Sequence, residues 1–183
     1  MAASRNRAPG DLDLVRRFIN TADLEQHSDE IATPAQLEDW LRGAGLGPEP
    51  VDEAGHRRAL ALREALRSLA LANNAGQAYP VDLATLNRAA VECRLRPRFT
   101  SAGAARLEPE AEGLDRALGR LVAAVYEAMA GGTWNRLKAC RKHSCRWAFY
   151  DSSRNHSATW CNMAVCGNRE KAERFRRRQS NLS

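Results

Sequence analysis

The sequence predicts a mainly α (α+β) protein. A helical N-terminal domain with one small β-hairpin spans residues 11–131, and a small four-cysteine zinc-binding domain ending in a basic helix spans residues 134–180. Three observations lead there. Apolar residues recur at spacings of three and four through most of the chain before Gly131-Gly132. One stretch after Cys93 alternates instead with period two. Four of the five cysteines fall near the C-terminus as two C-x4-C steps, Cys140 to Cys145 and Cys161 to Cys166, separated by fifteen residues.

Taken in order, residues 1–10 are polar with an early Pro9-Gly10, as in a frayed terminus. Leu12, Val15, Phe18 and Ile19 mark a first helix that stops at Asn20-Thr21. The cluster Asp23, His27, Asp29 and Glu30 reads as a solvated acidic loop. Thr33, Pro34 and Gln36 then have the form of a capping box with proline in the first turn, opening a helix whose apolar face is Leu37, Trp40 and Leu41. Gly43 and Gly45 end it, and residues 47–50 form a loop.

A long helix from about Glu53 to Asn73 presents Leu62, Leu66, Leu69 and Ala70 inward, with Arg57, Arg58, Arg63, Glu64 and Arg67 as solvated charge. A shorter helix after Asp82 turns Leu83, Leu86 and Ala90 inward. Between Cys93 and Leu107, Arg94, Arg96 and Arg98 form the polar face of an irregular hairpin, with a turn at 101–103 and Pro97 confining it to an edge. Leu114, Leu118, Leu121, Val122, Val125 and Met129 form a strongly amphipathic helix that ends at Gly131-Gly132, the domain boundary.

Two close pairs of thiolates fill the tetrahedral shell of Zn2+ and leave no position open for water or substrate, so the expected site is structural. No basic and apolar leader segment opens the sequence. A reducing cytoplasm is therefore expected, where pairs at this spacing hold metal rather than form disulfides; an iron–sulfur cluster is the alternative. His143 and His156 are not needed as ligands. Cys93 stands alone and receives no function. Trp134, Leu137, Trp147, Phe149 and Tyr150 crowd the first cysteine pair and are expected to be the miniature core of the zinc domain.

Charge is divided unevenly. From Arg136 onward twelve Lys or Arg stand against three acids, a net of +9, which leaves −3 for residues 1–135. The positive field thus belongs to the zinc domain and favours phosphate backbones or acidic surfaces. After Cys166 the chain runs through Gly167, Asn168 and Arg169 into a helix on which Ala172 and Phe175 face the metal core. Lys171, Arg174 and Arg178 share another face, widened by Arg169, Arg176 and Arg177. A helix fits the major groove of B-DNA, so Arg154, Asn168, Arg169, Lys171, Arg174, Arg176, Arg177 and Arg178 are the candidate nucleic-acid contacts. No apolar run reaches the roughly 20 residues of a membrane span. No phosphate-binding glycine loop, nucleophile elbow or catalytic set is found, and an enzyme is not expected.

The run Trp160-Cys161-Asn162-Met163-Ala164-Val165-Cys166-Gly167-Asn168-Arg169-Glu170-Lys171-Ala172, with Phe149-Tyr150-Asp151-Ser152-Ser153-Arg154-Asn155, closely resembles the CGNR zinc finger. The segments Phe18-Ile19-Asn20-Thr21, Leu37-Glu38-Asp39-Trp40-Leu41 and Leu62-Arg63-Glu64-Ala65-Leu66 resemble the ABATE domain usually attached to it. The resemblance implies a bacterial, stress-induced transcription regulator, with zinc on Cys140, Cys145, Cys161 and Cys166 and the Gly-Asn-Arg of the finger at Gly167, Asn168 and Arg169. One departure is that Ala158 and Thr159 stand where members often have two arginines before the Trp-Cys pair.

The function expected is a zinc-dependent regulator that binds double-stranded DNA through its C-terminal helix, while the N-terminal domain senses a small-molecule effector or protein partner. RNA binding, with Trp147 or Tyr150 stacked on bases, is one alternative. A zinc-stabilised protein-interaction module is the other.

Overall fold

The computed structural model describes residues 7–47, 50–101 and 103–180, except for the side chains of 75, 174, 175, 177, 178 and 180. Residues 1–6 of the polar terminus and 48–49 of the 47–50 loop lie outside these residues. Six helices are present among them: α1 (Leu12–Ile19), α2 (Pro34–Gly43), α3 (Glu53–Ala75), α4 (Pro80–Glu92), α5 (Gly113–Ala130) and α6 (Asn168–Ser180). They are joined by three antiparallel hairpins, β1 (Ala22–Asp23) with β2 (Ser28–Asp29), β3 (Leu95–Phe99) with β4 (Ala105–Pro109), and β5 (Leu137–Ala139) with β6 (Ala148–Tyr150). The chain is mainly α with some β, as expected.

Local chemistry sets the helix boundaries. The Thr33 hydroxyl accepts from Gln36 N–H at 3.3 Å while Gln36 Oε1 accepts from Thr33 N–H at 3.0 Å, so the capping box of α2 is complete. Asp52 caps α3 through Gly55 N–H at 2.7 Å. At the end of α5, Gly132 takes a φ of 71°. That left-handed residue lets Gly132 N–H reach Met129 O at 3.2 Å and Thr133 N–H reach Ala128 O at 2.8 Å, which closes the helix as a Schellman motif. The double glycine turns the chain without dividing its core.

Shared burial explains why. Trp134, Leu137, Ala139, Ala148 and Tyr150 are buried in the same apolar cluster as Leu66 and Leu69 of α3 and Leu121 and Val125 of α5. Trp147 and Trp160 instead pack around the cysteines. The aromatics expected to form a separate miniature core are thus divided between two jobs, and β5 and β6 rest on α3 and α1.

Two sequence expectations are corrected by burial. Arg63 and Arg67 are not solvated but buried. Arg63 holds Asp29 of β2 with both arms, at 2.7 and 2.9 Å, and Arg67 donates to Ile19 O at 2.6 Å and Ala22 O at 3.2 Å. The acidic segment is solvated at His27 and Glu30, as expected, and it is also pinned, as the β1–β2 hairpin. Leu83 of α4 is exposed. In β3–β4 the arginines do face outward, Arg96 pairing with Glu110 at 2.9 Å and Arg98 with Glu108 at 3.7 Å.

Polar side chains tie the C-terminal segment to the helices. The buried amide of Asn20, just past α1, donates to Ala148 O at 2.8 Å and accepts from Ala148 N–H at 2.7 Å, imitating a strand partner for β6. Replacing Asn20 by alanine strands two buried backbone groups and should cost about 1 to 3 kcal/mol. Urea denaturation checks this: a loss below about 0.5 kcal/mol, the usual range of an inert surface change, would contradict it.

Candidate metal centre and its basic helix

Cys140 directly follows β5 and Cys145 precedes β6, so the first pair sits on the two arms of one hairpin. Cys140 N–H donates to Trp147 O at 2.9 Å, closing its base. Arg146, at a φ of 50°, turns the chain back and donates to Arg141 O at 2.9 Å. The second pair is carried by the segment after residue 151. Asn162 caps a wide π-type turn, Met163–Gly167, by accepting from Ala164 N–H at 2.9 Å and Val165 N–H at 3.2 Å. That turn places Cys166 beside Cys161, and α6 begins immediately after it.

Two anchors bring the pairs together. The Asn74 amide near the end of α3 donates one hydrogen to Ala139 O and the other to Thr159 O, each at 2.8 Å. These are the carbonyls just before Cys140 and just before Trp160-Cys161. The second anchor is Lys138, 5% exposed, against Asp151, 1% exposed, at 2.7 Å. Lys138 also donates to His156 O at 2.6 Å and Ala158 O at 3.2 Å, while Asp151 accepts from Ser153 and Ala158 N–H. The loop between β6 and Trp160 is thereby wound around one buried ion pair.

The sulfurs of Cys140, Cys145, Cys161 and Cys166 lie within 4.8 Å of one another. Cys145 to Cys161 and Cys161 to Cys166 are each 3.7 Å. A tetrahedron with Zn–S bonds of about 2.3 Å has an edge of about 3.8 Å, so the donor set fits a four-thiolate metal ion closely. Electrostatics points the same way. Hydrogen bonds from Cys145 and Cys161 pull the Cys140 thiol down to about 2. Donation to that thiolate pushes Cys145 up to about 12 and Cys161 far above the ordinary thiol value. Burial, then the nearby Cys140 charge, raises Cys166. A bound cation offsets the mutual repulsion that opposes ionising the remaining sulfurs. His143 and His156 are exposed and outside the cluster. Cys93 is buried in the helical core, where burial pushes its thiol up to about 12.

Two family models match this chain. ABATE, described as "Putative stress-induced transcription regulator", matches residues 12–132, and the CGNR zinc finger matches residues 136–179. The chain belongs to the ABATE family. A search of curated proteins finds no match. The ABATE and CGNR matches follow in the order expected from the sequence, and they meet at 132–136, where the fold continues in one core.

The CGNR segment has a steric reason for its glycine. A Cβ on Gly167 would fall 2.5 Å from Met163 Sδ and 3.1 Å from Trp160 Cδ1, so any side chain there displaces the packing over the cysteines. Asn168 is spent locally, donating to Ala164 O at 3.1 Å. Arg169 reaches across to Glu25 in the β1–β2 turn, which also meets Lys142 at 3.3 Å. Glu25 is a partner that sequence spacing does not reveal. Arg154, Lys171 and Arg176 are exposed, Arg176 leaning on Ala172 O at 3.4 Å. Arg174, Arg177 and Arg178, together with Phe175, have side chains outside the described set. Ala172, expected to face the metal core, is exposed instead, because α6 packs on the π-type turn and projects from it. No helix among the described residues is long and apolar enough to cross a membrane.

The buried Lys138–Asp151 pair yields a pH-dependent prediction. Burial alone would raise the Asp151 carboxyl, but Lys138, with Ser153, holds it below the ordinary carboxylate value. A depressed folded pKa gives stability that is fully present above the unfolded value of about 3.9 and is lost as pH falls through the lower folded value. Asp151→Asn leaves a buried ammonium unpaired and should cost about 3 kcal/mol at neutral pH. In chemical denaturation the gap between wild type and variant should hold down to about pH 4 and narrow below it. A gap of constant size through pH 3 would contradict the assignment.

Proposed function

We propose that this protein is a zinc-dependent, DNA-binding transcription regulator acting in the cytoplasm, and on the nucleoid when bound to DNA. The observation that carries the reading is the exit of the fourth cysteine directly into α6, a basic helix that stands clear of the core. At thirteen residues it is about 20 Å long, enough to lie in a major groove. Zinc is the metal favoured by a buried four-sulfur tetrahedron, and the closed thiolate shell makes its role structural rather than catalytic. The metal fixes one end of α6; Lys171, Arg174, Arg176, Arg177 and Arg178 then meet phosphates or base edges.

Double-stranded DNA is preferred to RNA for a specific reason. Tyr150, one of the two stacking platforms considered, is 9% exposed and lies beneath Arg136, whose guanidinium is 5.1 Å from the ring centre. Trp147 packs over the cysteines. Tyr150 is not free to stack on an unpaired base and Trp147 is partly covered, which supports a backbone-and-groove mode instead.

Fluorescence anisotropy with duplex DNA across a salt series tests this. Changing Lys171, Arg174 and Arg178 together to glutamine should weaken binding and flatten the log–log salt slope by up to about 2.7, from about 0.9 per phosphate contact. Glu25→Gln should act oppositely, tightening binding about two- to fivefold by releasing Arg169 from a surface ion pair. An unchanged slope in the triple variant would remove α6 from the interface. Zinc-loaded protein that bound no nucleic acid even at low salt, yet held an acidic protein, would replace the reading with an interaction module.

A further inference from the structure

We infer that the cleft between α4, α5 and the β3–β4 hairpin binds a small molecule made of an apolar body and one carboxylate. It gives a site to the effector expected of the N-terminal domain, and it is tested without reference to nucleic acid, so either reading can fail alone. The cleft has a volume of about 620 Å³, inside the range of about 300 to 1,000 Å³ usual for ligand sites. Its walls are aliphatic and aromatic, including Leu86, Ala90, Leu107, Val125 and Tyr126. Val91, Tyr126 and Met129 along it are exposed, and no described part of the chain covers them. An uncovered apolar surface of this kind marks an interaction site.

The head group follows from the charges at its edge. Arg94 and Arg96 line the cleft. Arg96 is paired with Glu110 at 2.9 Å, and Arg98 and Arg106 each have Glu108. Arg94 alone of the four hairpin arginines has no carboxylate partner among the described residues; its Nη2 has only Glu110 O, at 3.4 Å. It also occupies the residue that closes α4, with a φ of 49°, where glycine is the relaxed choice. A strained backbone position is thus spent on a cation beside an apolar cleft. One guanidinium fork matches one carboxylate, and the walls take the rest of the molecule.

Calorimetry of the zinc-loaded full chain with octanoate, and with 1-octanol as the uncharged counterpart, tests the inference. Octanoate should bind one to one and more tightly than the alcohol. Arg94→Gln should weaken octanoate by about fivefold, the upper end for an ion pair open to water, and leave the alcohol unchanged. Ala90→Trp fills the cleft and should abolish both. Val91→Glu, at a residue 76% exposed and so harmless to folding, should weaken octanoate alone. Failure of octanoate to bind, or binding indifferent to Arg94→Gln and Val91→Glu, would overturn the inference. So would a wild-type dimer in sedimentation that Val91→Glu dissociates, since the cleft would then be covered by a second copy.

Discussion

The polar row Arg63, Arg67, Asn73 and Asn74 on α3 is the contact on which both halves of the chain depend, because its hydrogen bonds reach backbone groups on either side of the apparent domain boundary. Arg63 and Arg67 lock the β1–β2 hairpin and the end of α1. About two turns further along, Asn73 donates to Trp134 O and Leu137 O, and Asn74 holds the carbonyls before both cysteine pairs. Short strands such as β5 have few ladder bonds of their own. Their orphan carbonyls would be costly to bury without these amides. The metal centre is therefore presented by a helix of the N-terminal domain rather than carried at the end of a tether.

This arrangement assigns separate tasks to the metal and to the core. Apolar burial fixes β5 and β6, and with them Cys140 and Cys145. The segment bearing Cys161 and Cys166 has little apolar surface to bury apart from Trp160, and it is held by Asn74, by the Lys138–Asp151 pair and by the thiolates themselves. Metal binding energy in such a segment is folding energy. Position and orientation of α6 then follow from the cysteine cluster, whereas the distance of the finger from the helical core follows from α3. Glu25 adds a third link, since an acidic turn of the N-terminal half touches the first arginine of the exit helix.

Sequence pattern gave access to what is periodic or spaced. The leucines of α3 and α5, the capping box at Thr33 and Gln36, and the four cysteines are all legible because each signal lies within a few residues. The buried polar groups are not, because their partners are far away: Asn20 bonds Ala148 at a separation of 128 residues, and Arg67 bonds Arg146 O at a separation of 79. Periodicity tells which face of α3 is apolar, but Arg63 and Arg67 sit one position beside Leu62 and Leu66, and a charged residue at the margin of such a face reads as solvated. Strands of two or three residues, as in β1, β2 and β5, are too short to show alternation. The segments Phe18 to Thr21 and Leu62 to Leu66, which carry the family resemblance, contain Asn20 and Arg63, and that was the available hint that these polar residues serve the fold.

The most direct test of this account is the zinc affinity of Asn74→Ala, measured by competition with a chromophoric chelator. If α3 presents both cysteine arms, the variant should bind zinc about 10- to 100-fold more weakly, the usual loss when an outer support of a metal site is removed, while the far-ultraviolet signal of the helices is retained. An affinity equal to that of the wild type would mean that the four cysteines assemble without α3, and the finger would then be an independent module.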